Sequence, residues 1–416
     1  MRLCKYSLNV LHIGVGFGVA RFTELGNAKA SMRGTSDRYR FPRFFILNTH
    51  LVAVVGNRAR QRIEIMKKFF VSLVMLLSLS AASVFAQSSL IATLSHEGEI
   101  TMFYGAYALR DAHKAAKDGD AITLSSGLFY ATDITKAITL RGAGMELDSI
   151  NNIQHTEISG NFIIQIPDTL TERLKIEGIY HKDVIKLKGT LRNPQFVKCR
   201  LYTLDSSTSA DGKMVNGSVV HCKIVNSFHL TSTGSDCSIV NSYVCNASCD
   251  WVSSTTSNMH FLNSIIVNGM NTSYYRFFEL DMFTFNNCIL YGYATESYTN
   301  YYKLPSNALA YNCVGYNGQK VNTFANISNT TNTMASSLSD IFKTFTGKYS
   351  DTETFELTDA AKAKYLGDDG TQVGIHGGSV PYTPITMKPK ITKCNVASKS
   401  TADGKLSVDI EVTGAE

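Results

Sequence analysis

The sequence predicts an all-β fold, a single-stranded right-handed parallel β-helix (solenoid) with a short N-terminal capping helix and a C-terminal β-hairpin tail. The main observation is a six-residue pattern that recurs six times between residues 196 and 315, for example FVKCRL and FNNCIL. Its fourth position recurs at intervals of 23, 20, 22, 24 and 25 residues. This period fits one coil of a β-solenoid and is too short for α-helical repeats. The fourth positions are Cys199, Cys222, Ser242, Ser264, Cys288 and Cys313.

Each repeat holds one residue more than a straight strand with a side-chain period of two would allow, and this predicts a bend at the third position. The third positions are Lys198, His221, Asn241, Asn263, Asn287 and Asn312. Asparagine tolerates left-handed backbone angles, and stacked amides can bond to one another, so we expect an asparagine ladder over the last four coils. In the earlier coils we expect Gly142, Gly160 and Gly178 at the bend.

A secretory signal precedes the repeats. Residues 66–86 place Lys67 and Lys68 before an apolar run that ends in small residues, so we expect cleavage between Ala86 and Gln87. Residues 1–65 then read as mis-assigned upstream translation, and the alternative is a real extension with an internal membrane anchor. We expect a secreted, periplasmic or cell-surface protein with no integral membrane segment after cleavage.

Removal of the first 86 residues reverses the net charge. The whole chain carries +6, but residues 1–65 hold eleven basic and three acidic side chains and the signal adds two lysines. Residues 87–416 are therefore left with a net charge of −4. The basic character belongs to the discarded part, so we expect no nucleic-acid partner.

Four regions are predicted after the signal. Residues 87–120 form an N-terminal strand and a capping helix with a stripe of Ala106, Leu109, Ala112 and Ala116. Residues 121–325 form the β-helix, and residues 326–370 form a C-terminal cap that closes its far end. Residues 371–416 are a tail, in which ITKCNVAS and KLSVDIEV flank a turn as in a β-hairpin.

The segment GDAITLSSGLFYATDITKAITLRGAG at 119–144 resembles the first coil of pectin-lyase-like β-helix proteins, and the six repeats continue it. The ending at 369–412 resembles the tail of secreted bacterial β-helix proteins of uncharacterised role. The likeness covers about residues 90–416. It implies export and the fold but no single activity, because the superfamily includes lyases, hydrolases and non-catalytic adhesins.

Neither the cysteines nor the aspartates predict a metal or a cofactor. Eight of the nine cysteines remain without Cys4, and four of them fall on interior positions as small apolar side chains. A disulfide among Cys237, Cys245 and Cys249 is possible, and the sequence does not predict which two would pair. No zinc spacing is present, and the residues that could suggest calcium are better explained as turn residues: Asp118, Asp120, Asp368 and Asp369.

A basic group is the first candidate site. Arg200 and Lys223 occupy the outward fifth position of consecutive repeats, beside Lys198 and His221 at the bends. The resemblance implies a polysaccharide lyase arrangement, with His221 or Lys223 as base and Arg200 or Lys198 neutralising a uronate carboxylate. The alternative is an ordinary solvated face on which these side chains extend into water.

An aromatic group is the second candidate site. It comprises Trp251, Tyr274, Tyr275, Arg276, Tyr291 and Tyr293 in loops of neighbouring coils. Such rings stack on sugars, although they could instead cover the side of the solenoid. No catalytic motif is visible. We therefore expect a secreted protein that binds an extracellular polysaccharide, glycan or other polymer, and the alternative is a lyase that cuts a uronic-acid polymer by β-elimination.

Overall fold

The computed structural model of the protein describes residues 90–147, 154–206, 212–230, 235–249, 258–269, 283–293, 303–319, 321–384, 390–396 and 408–413. Successive coils contribute strands to two long, mainly parallel sheets that enclose one apolar interior. The prediction of an all-β solenoid is confirmed.

The first sheet has eleven strands in the part of the chain that is described. In spatial order they are β2 (Glu99–Tyr104), β1 (Ile91–His96), β3 (Ala121–Leu124), β5 (Thr139–Arg141), β8 (Lys175–Glu177), β11 (Gln195–Val197), β14 (Gly217–Val220), β16 (Asp236–Val240), β19 (Asn258–Leu262), β21 (Phe283–Asn286) and β23 (Leu309–Tyr311). Strand β1 runs antiparallel to both of its neighbours, and every later pair is parallel.

The second sheet has twelve strands among the described residues. Its main path is β25 (Thr333–Met334), β24 (Val314–Asn317), β22 (Ile289–Tyr293), β20 (Ile265–Gly269), β17 (Tyr243–Cys245), β15 (Lys223–Leu230), β12 (Arg200–Asp205), β9 (Ile179–Leu187), β6 (Thr156–Ser159) and β4 (Gly127–Tyr130). Strand β18 (Ala247–Cys249) pairs with β15, and β7 (Phe162–Ile164) pairs with β9. A small separate pair joins β10 (Thr190–Arg192) to β13 (Lys213–Val215).

The bends between the two sheets have the predicted backbone conformation. All six third-position residues have positive φ, from 44° at Asn241 to 55° at Asn287. Gly178 lies at the same bend and also has positive φ, at 66°. Gly160 has positive φ too, at 103°, but it lies between β6 and β7 of the second sheet, so its predicted place at the bend is wrong. Gly142 lies at the same bend without a positive φ. Glycine is needed there because a Cβ would lie 2.3 Å from the Gly178 carbonyl oxygen.

The column of fourth-position residues forms the ladder inside the solenoid. All six are buried, and the side chains of Cys222, Ser242 and Ser264 accept from backbone amides of the preceding coil. The Ser242 hydroxyl accepts from the Cys222 amide at 3.0 Å, and the Ser264 hydroxyl accepts from the Ser242 amide at 3.2 Å. The cysteines therefore behave as small interior side chains, as predicted. The six described as free thiols are Cys199, Cys222, Cys237, Cys245, Cys288 and Cys313.

The N-terminal helix is α1 (Ala108–Ala115), which is shorter than the predicted helical stretch. Leu109, Ala112 and Ala116 of its stripe are buried, and the helix contacts strands β1 to β4. Within the described part of the chain, no helix has both the length and the apolar character needed to span a membrane.

The C-terminal segment, residues 335–384, lies along the outer face of the second sheet. It contains a 3-10 helix (Leu338–Asp340) and helix α2 (Asp359–Lys364). Its apolar side chains form a second core with outward residues of the coils, among them Tyr243, Ile265, Ile289, Val314, Phe345, Phe355, Val373 and Ile375. We expected residues 326–370 to close the far end, but most of this range packs on the flank. At the last coil, Phe324 and Met334 both pack against Gly315, and β25 pairs with β24 there.

The expected asparagine ladder is not found among the described residues, because the side-chain amides of Asn241 and Asn287 bond to the C-terminal segment instead of to a stacked asparagine. Asn241 Nδ2 donates to the carbonyl oxygens of Ile375 and Gly377, at 2.9 and 2.8 Å. Asn287 Nδ2 donates to the Asp368 carboxylate at 2.8 Å. The tail contains the predicted antiparallel hairpin, formed by β26 (Lys390–Val396) and β27 (Val408–Thr413).

Replacing Asn241 tests how strongly these amides hold the C-terminal segment. Asn241→Ala loses two hydrogen bonds and removes the amide donor from the buried Gly377 carbonyl, while the Ile375 carbonyl still accepts from the Tyr382 amide. Asn312→Ala changes the same kind of left-handed bend at the last coil. We expect Asn241→Ala to lower the free energy of unfolding by about 2 kcal/mol more than Asn312→Ala, as measured by urea denaturation. Equal losses would mean that the bend alone requires asparagine.

Candidate functional site

The four basic residues of the first candidate site are neighbours, as predicted, but they are not exposed. Arg200 pairs with Lys223 in the register of β12 and β15. Lys223 is 2% exposed and His221 is 3% exposed. The expectation that this group lies on an open outer face is wrong, because the C-terminal segment covers it.

Lys223 lies in a closed pocket of acidic and aromatic groups. Its Nζ atom is 2.6 Å from Glu146 Oε1 and donates to the Glu353 carbonyl oxygen at 3.2 Å. The rings of Tyr349, Phe355 and Tyr382 surround the ammonium group at 5.6 to 6.0 Å. The ion pair and the ring faces together offset the cost of removing the charge from water.

Arg200 is held in a similar way by the turn that carries Asp351. Its guanidinium lies over the Tyr180 ring at 4.4 Å and near the Tyr349 ring at 5.5 Å, and it donates to the Asp351 carboxylate. The Nε atom is buried and has no hydrogen-bond partner among the described residues. Burial also raises the pKa of the Tyr349 hydroxyl, so this ring is a neutral neighbour at ordinary pH.

His221 and Lys198 lie at the bends of neighbouring coils, and His221 contacts the end of the C-terminal segment. The Nε2 atom of His221 is 3.0 Å from the carbonyl oxygen of Val380, which fixes this nitrogen as the donor. Burial lowers the pKa of His221, and the nearby Lys198 charge lowers it further. Burial also lowers the pKa of Lys198. The imidazole is therefore neutral at neutral pH.

A general base in β-elimination must come within hydrogen-bond distance of the proton it removes from the sugar. The hydrogen-bonding position beside His221 Nε2 is taken by the Val380 carbonyl oxygen. Those beside Lys223 Nζ are taken by the Glu146 carboxylate and the Glu353 carbonyl oxygen. The geometry thus explains these groups as a buried ion network that attaches the C-terminal segment to the coils.

Two members of the aromatic candidate site are described, and they are partly covered. The Tyr291 ring stacks on Tyr293 at 5.9 Å and on Tyr316 at 5.8 Å. Gly347 approaches Tyr291 so closely that a Cβ there would lie 2.5 Å from the phenol oxygen. Burial raises the pKa of both Tyr291 and Tyr293. The other members lie outside the described residues: Trp251, Tyr274, Tyr275 and Arg276.

A third surface, which sequence reasoning missed, is the outer face of the first sheet. Two columns of outward side chains run along it, stacked in register at about 4.8 Å per coil. We call this surface the open face. It comprises Gln195, Ser218, Ser238, His260, Thr284 and Leu309 in one column and Val197, Val220, Val240, Leu262, Asn286 and Tyr311 in the other.

None of these twelve side chains is buried, and Leu262 and Tyr311 are each 39% exposed. The sequence did contain a signal for this surface. The second column is the second position of the six-residue pattern, which must face outward because the first position faces the interior. This outward column is identified as accessible only because the C-terminal segment covers the outer face of the second sheet.

At the N-terminal end of the same face two cations share one carboxylate. Glu177 accepts from Lys175 at 3.0 Å and lies 3.6 Å from Arg141. Beyond these three residues, the open face holds hydroxyl, amide and aliphatic groups with His260. It therefore lacks the stripe of cations that a polyanion would require.

The aspartates considered for calcium serve local structure. Asp118 accepts from the Ala137 amide at 2.7 Å, Asp120 from the Lys117 amide at 2.7 Å and Asp369 from the Thr371 amide at 2.9 Å. Over the described ranges, no three or more His, Cys, Asp or Glu residues cluster as metal ligands would.

The sequence matches no protein-family model, and comparisons with the curated proteins and with solved structures also find no match.

Removing the Lys223 ammonium group should destabilise the fold. Lys223→Met leaves the Glu146 carboxylate without its buried partner, so we expect a loss of about 2–3 kcal/mol in the free energy of unfolding. Lys182 pairs with Glu157 but is 45% exposed, so Lys182→Met should cost less than about 1 kcal/mol. Urea denaturation measures both, and equal effects would contradict the ion-network interpretation.

The neutral, buried His221 should make stability depend on pH. In the unfolded chain a histidine takes up a proton below about pH 6.5, whereas the folded state resists this because its pKa is lowered. The stabilisation is therefore complete above that pH and is lost as the pH falls toward 5. His221→Asn places the residue of the later bends at this position.

We expect His221→Asn to reduce the decrease in urea midpoint between about pH 7 and pH 5. The exposed His260→Asn variant is the control for the loss of one imidazole. An unchanged pH profile in His221→Asn would show that His221 does not contribute to the acid sensitivity.

Proposed function

We propose that the chain is an exported β-helix protein, of the pectin-lyase-like kind, that binds a carbohydrate polymer along the open face. Export rests on the signal at 66–86 and on cleavage before Gln87. The single observation that supports binding at this face is its accessibility, since the second sheet is covered by the C-terminal segment and the first is not.

The chemistry of the open face suits a neutral glycan better than a uronic-acid polymer. Sugars present alternating hydroxyl and C–H surfaces. The two columns offer hydrogen-bonding groups such as Ser218, Ser238 and Thr284 beside an apolar strip of Val220, Val240 and Leu262. An array that repeats with every coil can follow a chain of repeating units, so many weak contacts act together.

The lyase alternative gains no support from the geometry. Its cations are paired with Glu146 and Asp351, and its imidazole is bonded to Val380. We include Trp251 and Tyr274 as further glycan contacts, and that part of the proposal rests on sequence alone.

Binding of the exported protein to polysaccharides tests the proposal. Affinity electrophoresis in gels that contain a neutral β-glucan, a xylan or polygalacturonate would show retarded migration with a ligand. We expect retardation by a neutral polymer, and about tenfold weaker binding when Leu262 and Tyr311 are both changed to Ala.

Tyr202→Ala is the matched control, because Tyr202 is a 42% exposed tyrosine on β12, outside the open face. Equal binding by the double variant and the control would remove the open face as the site. Ultraviolet absorbance of unsaturated product released from polygalacturonate would favour the lyase.

A further inference from the structure

Strand β2 is the terminal strand of the first sheet and has no second neighbour among the described residues. Three large apolar side chains project from one side of it: Ile100 at 65%, Met102 at 54% and Tyr104 at 64% exposure. Phe103, on the other side, packs against the core. Both the backbone edge and one side-chain face of β2 are thus open.

Natural proteins normally protect such an edge with lysine, proline, a bulge or a covering loop. Strand β2 reads EITMFY and pairs with β1 without a register shift, so only Glu99 bears a charge. An unprotected apolar edge of this kind is expected to be covered by another strand.

The exported chain cannot cover this edge with its own N-terminus. After cleavage before Gln87, three residues precede Leu90, and they reach at most about 10 Å. A six-residue strand is about 20 Å long. Moreover, the Leu90 carbonyl accepts from the Gly105 amide, so the chain enters at the far end of β2 on the β1 side.

We propose that two copies of the protein associate by antiparallel pairing of their β2 edges about a twofold axis. When a strand pairs with its own copy, the side chains on the facing strands must be complementary to one another, and those of β2 are. The register that keeps like faces together places Met102 opposite its own counterpart and Ile100 opposite Tyr104 of the second copy. The six apolar side chains then form one cross-strand cluster.

The register also keeps like charges apart at the ends of the contact. Glu99 lies opposite Gly105 of the second copy, so the carboxylate of β2 does not face its own counterpart.

The pairing would also extend the open face. Thr93 on β1 pairs with both Met102 and Thr123, so the exposed side of β2 is continuous with the outer side of the first sheet. Two first sheets joined at β2 present one surface of twice the length. This consequence, unlike the pairing itself, rests on the proposed binding function, and it predicts tighter binding to long polymers than to short ones.

Sedimentation equilibrium of the exported protein tests the association, with its N-terminus read by mass spectrometry. We expect a concentration-dependent dimer in the parent protein. Met102→Glu places two carboxylates opposite each other and should shift the dissociation constant at least tenfold toward the monomer. Tyr202→Glu is the control at an exposed position on another strand.

Cross-linking tests the register. Met102→Cys should form a disulfide-linked dimer rapidly under a mild oxidant, because a self-opposed pair has Cβ atoms about 5 Å apart. Tyr202→Cys should form no more disulfide-linked dimer than the parent protein does. A monomer at all concentrations, no effect of Met102→Glu, or equal cross-linking by both cysteine variants would overturn the proposal, as would an N-terminus upstream of Gln87.

The two proposals fail separately. A Met102→Glu monomer that binds a short oligosaccharide as the parent does, but a long polymer more weakly, supports both. A dimer that binds no polysaccharide supports the association and overturns the binding function.

Discussion

The left-handed bend after the first strand of each coil is the constraint on which the rest of the molecule depends. A residue with positive φ turns the chain sharply enough for β12, β15 and β17 to follow β11, β14 and β16 in the same register. Because all later coils repeat this register, each position of the six-residue pattern becomes a column. One column faces the interior, where the side chains of Ser242 and Cys222 accept from backbone amides of the preceding coil. The adjacent columns face outward on one sheet or the other.

The two outward faces then differ because of one distant segment. Residues 335–384 pack apolar side chains such as Phe355 and Ile375 on the second sheet and receive hydrogen bonds from the bend amides. A flat sheet face that would otherwise need a polar surface thus becomes a second core. Lys223 and Arg200 persist in it because Glu146, Asp351 and the surrounding rings compensate for their lost hydration. The first sheet keeps its outer face for solvent or a ligand.

Local reasoning succeeded where the structure is set by neighbours in sequence or in the next coil. The bends at Asn263 and Asn287 follow from a residue count, and the pairing of Arg200 with Lys223 follows from the period. It failed where the partner is more than a hundred residues away. The amide of Asn241 bonds to Ile375 and Gly377, and nothing in the repeat indicates that partner. For the same reason the basic group was placed in solvent when it is buried.

The amino-acid sequence by itself determined the solenoid, its interior column and its left-handed bends, because each arises from contacts that recur with every coil. It also carries the signal on which the export proposal rests. Only the tertiary structure decided which of the two sheets is accessible. That choice depends on where a non-repetitive segment docks, and docking is decided by the summed burial of many apolar side chains, such as Phe345 and Val373, rather than by any motif. The accessible candidate site therefore lies on the neutral columns of the first sheet and not on the charged column of the second.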